Sequence, residues 1–454
     1  MTLLPTRLTG SPLRGAYRRG RPGPTRLPVA ALIEALFGGP PAFRITAYDG
    51  SATGPADASI CWHIASEEGL RYLVTAPGDL GVARAYLADQ LQFSGFHPGD
   101  PYEGFKALKT QDLRRPPLRE LPALLRGIGW DRLNPPPPPD IEMLPRWRRA
   151  AESLREPSGR RVRAIAHHYD VSNAFYERVL GPSMTYTCAC FATPDESLEV
   201  AQERKYALVA GKLGLRPGMT LLDVGCGWGG MVRFAAKEYG VRALGVTLSK
   251  RQADWAGARI LADGLGGLAE VRHLDYREAP EGPYDAISSI GLTEHIGARH
   301  YRSYFAELAR RLRGGGRLLN HCITRPTEDQ SVRPETFTDR YVFPDGELAP
   351  VTRVAAAGAS AGLEIAHVEN LRMSYAYTLR EWCANLVTHW DDCVAEVGVP
   401  TAKVWGAYMA GSRLGFELNW FQLHQVVFAK PGPDGAPGYP LRPDWCATPE
   451  VSAG

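Results

Sequence analysis

The feature that most constrains this chain is an apolar run that ends on a glycine loop and continues as a helix. Residues 221–240 read LLDVGCGWGGMVRFAAKEYG, with Gly225, Gly227 and Gly230 on the spacing G-x-G-x-x-G. Glycines there let the backbone approach a ligand closely, and the helix behind offers its N-terminal amides. From about residue 215 the chain alternates strand and helix, the pattern of an open, largely parallel α/β sheet. TLLDVG (220–225) leads to a helix over 229–239, and RALGVT (242–247) to a helix over 250–262. LAEVRHLD (268–275) leads to a loop, and YDAISSIG (284–291) to a helix from about 300 to 313. The glycines 314–316 are expected to stop that helix and open the strand RLLNHCIT (317–324). A less regular stretch, 325–350, carries DRYVFPDGE; helices are expected over 378–396 and 402–416, and a last strand in NWFQLHQVVFAK (419–430).

The loop alone does not choose between a nicotinamide oxidoreductase and a methyltransferase; the next strand does. A nicotinamide site needs Asp or Glu at that strand's end, roughly 20 residues past the loop, for the ribose hydroxyls. Here the end reads GVTLSKRQ (245–252), with Thr247, Ser249 and Gln252 and no acid before Asp254. Asp223 inside LLDVGCG and HLDYRE (273–278) at the third strand suit S-adenosylmethionine better, with Asp275 and Tyr276 placed to hold and cover the adenine. The ordinary alternative for Asp223 is a carboxylate capping its own loop.

At 454 residues two domains are expected. NPPPPPD (134–140) is the clearest boundary, because its five prolines force an extended, semi-rigid segment. Before it lies a small α+β unit, 28–130, with strands in AFRITAY (42–48) and LRYLVTA (70–76) and a helix in GDLGVARAYLAD (78–89). Residues 131–160 read as a Pro-rich, basic linker, 161–431 as the main domain and 432–454 as a tail. LPRWRRAAESLREPSGRRVRAIAHHYD (144–170) is basic and helix-leaning, its arginines a solvated face or a contact for lipid phosphates.

Residues 1–27 read as a basic, disordered extension, with six arginines and no acid in the first 26. Arg18-Arg19 has no uninterrupted apolar stretch behind it, so an export signal is not expected. None of the eight cysteines forms a CxxC pair or zinc-like spacing with histidine, so no metal site and a reducing, cytoplasmic setting are expected. A net charge of +3 implies no nucleic acid, and no apolar run is long enough to span a membrane, which leaves peripheral contact at its inner face.

Several stretches now fall into one order. HHYDVSNAFYERVLGPSMTYTCACF (167–191), LLDVGCGWGG (221–230), GVTLSKRQ (245–252), SIGLTEHIG (289–297), HCIT (321–324) and YAYTLREW (375–382) resemble the cyclopropane-fatty-acyl-phospholipid synthases. The likeness covers nearly all of 165–430, and the N-terminal unit resembles the extra domain of longer bacterial members. The resemblance implies a Rossmann-like class I methyltransferase sheet with a helical cover over a lipid tunnel. It implies methyl transfer from S-adenosylmethionine to the double bond of an unsaturated phospholipid acyl chain, with a bound bicarbonate as the base. Cofactor positions carried over are Tyr186, Thr187, Gly225, Gly227, Thr247, Gln252 and Tyr276. The bicarbonate cage carries over as Cys188 through its backbone amide, Glu294, His321 and Tyr375, with His168 and Ile290 lining the site. A homodimer is implied too.

The chemistry asks for such residues. An alkene is a weak nucleophile, so the methyl donor must be strongly electrophilic and held in line. Attack leaves a cation on the neighbouring carbon, which wants a dry, apolar site with aromatic faces; Phe175, Tyr176, Tyr341, Phe343 and Trp382 are candidates. A fixed small anion can then take the proton, given donors to hold it. Glu294 fits beside it by accepting from a bicarbonate hydroxyl or by being protonated in a desolvated site. Singly, Glu294-His295 can be a helix start, His321 a core histidine and Cys188 merely buried. Together and in family order they read as a site.

One position departs from the family. The residue before Glu294 is usually Phe and here is Thr293. Direct proton loss with ring closure gives a cyclopropane; a hydride shift first gives a methylene. An actinobacterial branch of the resemblance makes the methylene chain, which a flavin-dependent reductase converts to a methyl branch. The alternatives are a small-molecule methyltransferase and a non-catalytic lipid-binding protein.

Overall fold

The computed structural model describes residues 27–110, 121–143, 171–328, 336–343, 346–436 and 438–445. They group into two compact units. The first holds the described residues of 27–143 with 336–343 and 398–414; the second holds the rest. Two stretches that the sequence reading places with the main domain, 336–343 and 398–414, thus group with the smaller unit. The buried Glu142 carboxylate is one physical reason: it accepts from Arg84 at 2.7 and 2.6 Å, from the Tyr341 hydroxyl at 2.7 Å, and from Arg340.

The first unit is a mixed sheet with helices. β1 (Arg44–Ala47), β2 (Ala52–Thr53), β3 (Cys61–Ile64) and β4 (Leu91–Ser94) lie in the order β2-β1-β3-β4, with β1 and β3 parallel. Phe43, Trp62 and Phe93 stack at 4.8 and 5.0 Å over the core, each ring pair adding about 0.5–1.5 kcal/mol beyond burial. LRYLVTA, expected as a strand, is part of the helix Glu67–Thr75. The deciding signal lies upstream: Ser66 caps the amides of Glu68 and Gly69, and Glu67 and Glu68 occupy the first turn. The helix over Asp79–Leu87 forms as expected.

The second unit is a seven-stranded sheet. Its strands are β5 (Thr220–Val224), β6 (Arg242–Thr247), β7 (Ala269–His273), β8 (Tyr284–Ile290), β9 (Leu312–Thr324), β10 (Glu364–Asn370) and β11 (Gln422–Ala429). They run in the order β10-β11-β9-β8-β5-β6-β7, with β9-β8-β5-β6-β7 parallel and β11 antiparallel to β9 and β10. The order reverses at β5, so a crevice opens at the carboxyl ends of β5 and β8. Both faces are covered. Met231, Val232, Ala235 and Val209 pack on one, and Tyr304, Phe305, Leu308 and Val354 on the other. That double burial covers nearly the whole of β5 and β8, including the polar Asp223, Ser288 and Ser289.

Two local expectations change. The helix Tyr301–Arg311 ends before the glycines, which belong to β9. Gly315 N–H donates to Lys430 O and Lys430 N–H to Gly316 O, so these residues extend the ladder with the chain after β11. A Cβ on Gly316 would come within 2.9 Å of Asp285 O, so the bare backbone is what lets β9 lie against β8. The region 372–417 forms three helices, Arg372–Thr388, Trp390–Val397 and Val399–Glu417, where two were expected. Residues 144–170 lie outside the described residues. Among the described residues no helix is long and apolar enough to cross a membrane, and no group of His, Cys, Asp and Glu could hold a metal ion.

Candidate active site

The glycine loop turns sharply at the end of β5. Gly225, Gly227 and Gly229 adopt φ of 74°, 55° and 74°, which L side chains rarely adopt, and the amides of Gly225 and Cys226 both donate to Val246 O at the end of β6. The glycines serve different ends. A Cβ on Gly227 would meet nothing within 4 Å, whereas one on Gly230 would lie 2.0 Å from the Tyr206 hydroxyl oxygen. Gly227 therefore borders open space, and Gly230 admits the helix–helix contact.

Asp223, buried at the end of β5, does not cap its loop. It accepts from Ser288 on β8 at 2.6 Å, and burial pushes its carboxyl up to about 6 against the pull of Ser288 and Lys205. At the end of β6, Thr247 Oγ1 donates to Gln252 Oε1 at 2.8 Å, and Ser249 Oγ caps the following helix by accepting from Gln252 N–H. Asp254, the nearest acid beyond, pairs on the surface with Lys250. At the end of β7, Asp275 accepts from the amide, Nε and Nη2 of Arg277 at 2.7–2.9 Å. The Tyr276 ring sits edge-on to Tyr304, centroids 5.2 Å apart.

The segment 184–191 is pinned to the two helices behind it. Gln202 Nε2 donates to Thr187 O at 2.9 Å, Lys205 Nζ to Thr187 Oγ1 at 3.2 Å, and the Ala189 amide to Thr378 Oγ1 at 3.0 Å. Burial, and the neighbouring Cys190, push the Cys188 thiol well above its ordinary range, so it is protonated and donates to Ala189 O. Tyr186 joins an aromatic chain: its ring lies 5.8 Å from Tyr176 and 5.3 Å from Trp382, which meets Tyr375 at 6.1 Å. Tyr375 in turn packs 4.6 Å from Phe416. Of the five aromatic candidates, Phe175, Tyr176 and Trp382 lie in this unit, while Tyr341 and Phe343 belong to the other. His168 lies outside the described residues.

Glu294 sits on the short helix Thr293–Ile296 that follows β8. One carboxylate oxygen accepts from the Ile323 amide at 2.8 Å; the other is buried with no partner among the described residues. Burial pushes this carboxyl up to about 7, against the pull of that amide. His321 on β9 is 1% exposed, pairs in register with Ile290 on β8, and leaves Nε2 buried without a partner among the described residues. Burial, with the charges of Lys205 and Lys212, holds this imidazole well below its ordinary range, hence neutral. His295 is also neutral, lowered to about 4 by burial.

Sequence reasoning missed Lys205 and Lys212. Both are fully buried on the helix Leu198–Leu213, and burial lowers Lys205 to about 8. The signal was legible: seven residues apart, they share the face that carries Ala201, Val209 and Leu213.

The family model described as mycolic acid cyclopropane synthetase matches residues 157–426. A probable fatty acid methyltransferase of Mycobacterium tuberculosis is 54% identical over 422 residues, 92% of this chain and 99% of its own length. The cyclopropane-fatty-acyl-phospholipid synthase of Escherichia coli K12 is 34% identical over 263 residues, 58% of this chain and 66% of its own. Among solved structures, the Mycobacterium tuberculosis cyclopropane synthase MmaA2 aligns with a TM-score of 0.55 at 34% identity, covering 59% of this chain and 98% of that one. The mycolic acid cyclopropane synthase CmaA1, complexed with SAH and CTAB, gives 0.55 at 32%, covering 59% and 97%.

Proposed function

Because the chain belongs to the mycolic acid cyclopropane synthetase family, we propose that it methylates the double bond of unsaturated phospholipid acyl chains, with S-adenosylmethionine as donor and bicarbonate as base. The observation that carries the site is the pair of buried atoms, Glu294 Oε2 and His321 Nε2, each without a partner among the described residues. Buried polar atoms cost about 1–3 kcal/mol when left unsatisfied, so a polar guest at both is the economical reading.

The residues fit both groups. The open side of Gly227 and the neutral Thr247–Gln252 pair suit an adenosine without a ribose-binding acid at β6. The sulfonium supplies an activated methyl group, and the bicarbonate supplies a base for the proton that the methylated chain must lose. His321 donates to the anion, and the Cys188 amide and Tyr375 hydroxyl complete its cage. Glu294, with its carboxyl near pH 7, accepts from the anion's hydroxyl when ionised and donates when protonated. Tyr186, Trp382 and Tyr375 offer π faces to the acyl cation and keep water out.

Loss of a methyl proton with ring closure gives a cyclopropane; a preceding hydride shift gives a methylene. Thr293 is fully buried, with its hydroxyl 3.4 Å from Asn320 Nδ2, where the family usually places a ring, and this favours keeping the methylene outcome beside the cyclopropane. On this reading the chain works peripherally at a membrane surface, as a homodimer, and a methylene product passes to a flavin-dependent reductase.

The test is an NMR spectrum of the lipid after incubation with S-adenosylmethionine and oleoyl phospholipid vesicles. Upfield ring protons identify a cyclopropane and vinylic protons a methylene. No methylated lipid despite bound cofactor would overturn the lipid assignment in favour of a small-molecule substrate. Glu294→Ala and His321→Ala should each abolish turnover while cofactor binding survives; wild-type rates in both would overturn the cage.

A further inference from the structure

Glu369, Gln425, His321 and Ile290 form one row across four adjacent strands, β10, β11, β9 and β8. Lys212 reaches this row from the helix Leu198–Leu213. Its ammonium donates to Gln425 Oε1 at 2.6 Å and pairs with Glu369. Gln425 Nε2 lies 3.2 Å from His321 Nδ1, and Lys212, Gln425 and His321 are all 0–1% exposed.

The donor inventory fixes the protons. An ammonium has donors only, so the Gln425 carbonyl must face Lys212. The amide nitrogen, which only donates, must then face His321, so Nδ1 must accept and carry no proton. A neutral imidazole holds its single proton on the other nitrogen. That nitrogen is Nε2, the atom with no partner among the described residues. We infer that Lys212 and Gln425 are positioning residues that lock His321 as the Nε2–H tautomer, making it an obligate donor toward the active site. Glu369 pairs with the Lys212 ammonium from the edge strand β10, where the Glu369 side chain is 36% exposed. The functional half of this inference rests on the reading that His321 holds the anion; the tautomer itself does not.

The experiment is long-range 1H–15N correlation on the full-length, 15N-histidine-labelled protein without lipid, with the His321 signals assigned by their loss in His321→Asn. In the wild type Nε2 should be protonated and Nδ1 bare; a proton on Nδ1 overturns the inference without any variant. Gln425→Glu keeps the shape but turns the donor into an acceptor, so Nδ1 should become protonated. An Nδ1 that stays bare in that variant overturns it as well. Gln425→Met removes both bonds and should leave a mixture of tautomers. With vesicles and cofactor, its methyl transfer should fall about 10- to 100-fold in kcat with little change in KM, the size expected for a lost orienting partner. If instead the tautomers move as expected while His321→Ala retains wild-type turnover, the cage reading fails and the positioning by Lys212 and Gln425 stands.

Discussion

Glu294 gives one carboxylate oxygen to the Ile323 amide, 2.8 Å away, and keeps the other buried and unpartnered among the described residues. The two residues come from the short helix after β8 and from β9, and β8 and β9 lie side by side and parallel. The bond anchors the carboxylate through one oxygen and leaves the other open, which suits the proposed anion site. A carboxylate with both oxygens satisfied would be a structural element and nothing more.

This arrangement makes stability depend on pH. Burial raises the Glu294 carboxyl from an ordinary 4.5 to about 7, so between these values the folded chain binds a proton that the unfolded chain has released. Stability therefore falls as pH rises from about 4.5 through about 7, and the loss persists above. Glu294→Gln keeps the Ile323 bond and has no charge to bury. Relative to the wild type it should gain stability on going from pH 4.5 to pH 8, by on the order of 3 kcal/mol. Urea unfolding of both proteins, without cofactor, at the two pH values checks this; an equal difference at both would contradict it.

Cys188 makes the opposite case. Its thiol is held protonated by burial and donates to Ala189 O, which leaves the backbone amide as the donor proposed for an anion. Cys188→Ala should retain turnover within about threefold, at a stability cost of roughly 1 kcal/mol for the small cavity. Native protein should resist thiol alkylation at this residue up to pH 8.5. A variant that loses activity a hundredfold while remaining folded would make the sulfur a participant.

Much of the second unit was legible in the sequence because parallel strands buried on both faces leave unbroken apolar runs, and helices between them keep their period. TLLDVG, RALGVT and YDAISSIG approximate such runs, interrupted by Asp223 in the first, Gly245 in the second and Asp285, Ser288 and Ser289 in the third. The candidate site was legible only through ordered motifs, since Glu294 and His321 are 27 residues apart in the chain and lie on the short helix after β8 and on β9, and β8 and β9 pair side by side. What stayed hidden depends on tertiary partners. LRYLVTA alternates like a strand, yet the Ser66 cap commits it to a helix. Gln425 reads as an ordinary strand residue until its register partner proves to be His321. The segment 336–343 gave no sign that its Arg340 and Tyr341 would be claimed by Glu142.

That claim is itself testable. The Glu142 side chain is fully buried, facing Arg84 and Arg340, whose side chains are 16% and 7% exposed. Removing its charge leaves two guanidiniums without their counter-ion, a loss on the order of 3 kcal/mol for a buried pair. Glu142→Gln should therefore speed amide exchange across β1 and β3 while leaving β5 and β8 protected. Unchanged protection in β1 and β3, by hydrogen-exchange mass spectrometry, would show that the cluster is not what holds the small unit.

Two glycines of one fingerprint should fail in different ways. Gly227 has open space where a Cβ would point but a φ of 55°, so Gly227→Ala strains the loop by only about 1 kcal/mol. Its added methyl enters the space assigned to the cofactor, so S-adenosylmethionine affinity should drop at least about tenfold, the equivalent of 1.4 kcal/mol. Gly230→Ala instead drives its methyl to within 2.0 Å of the Tyr206 hydroxyl oxygen, which is bonded to Thr185, and should lose about 1–3 kcal/mol of stability by overpacking. Because removing the hydroxyl makes room, Tyr206→Phe should recover part of that loss in the double variant. Calorimetric titration of the cofactor and thermal unfolding of all four proteins separate the two effects. If Gly227→Ala binds cofactor like the wild type, the open side of that glycine is not where the cofactor lies.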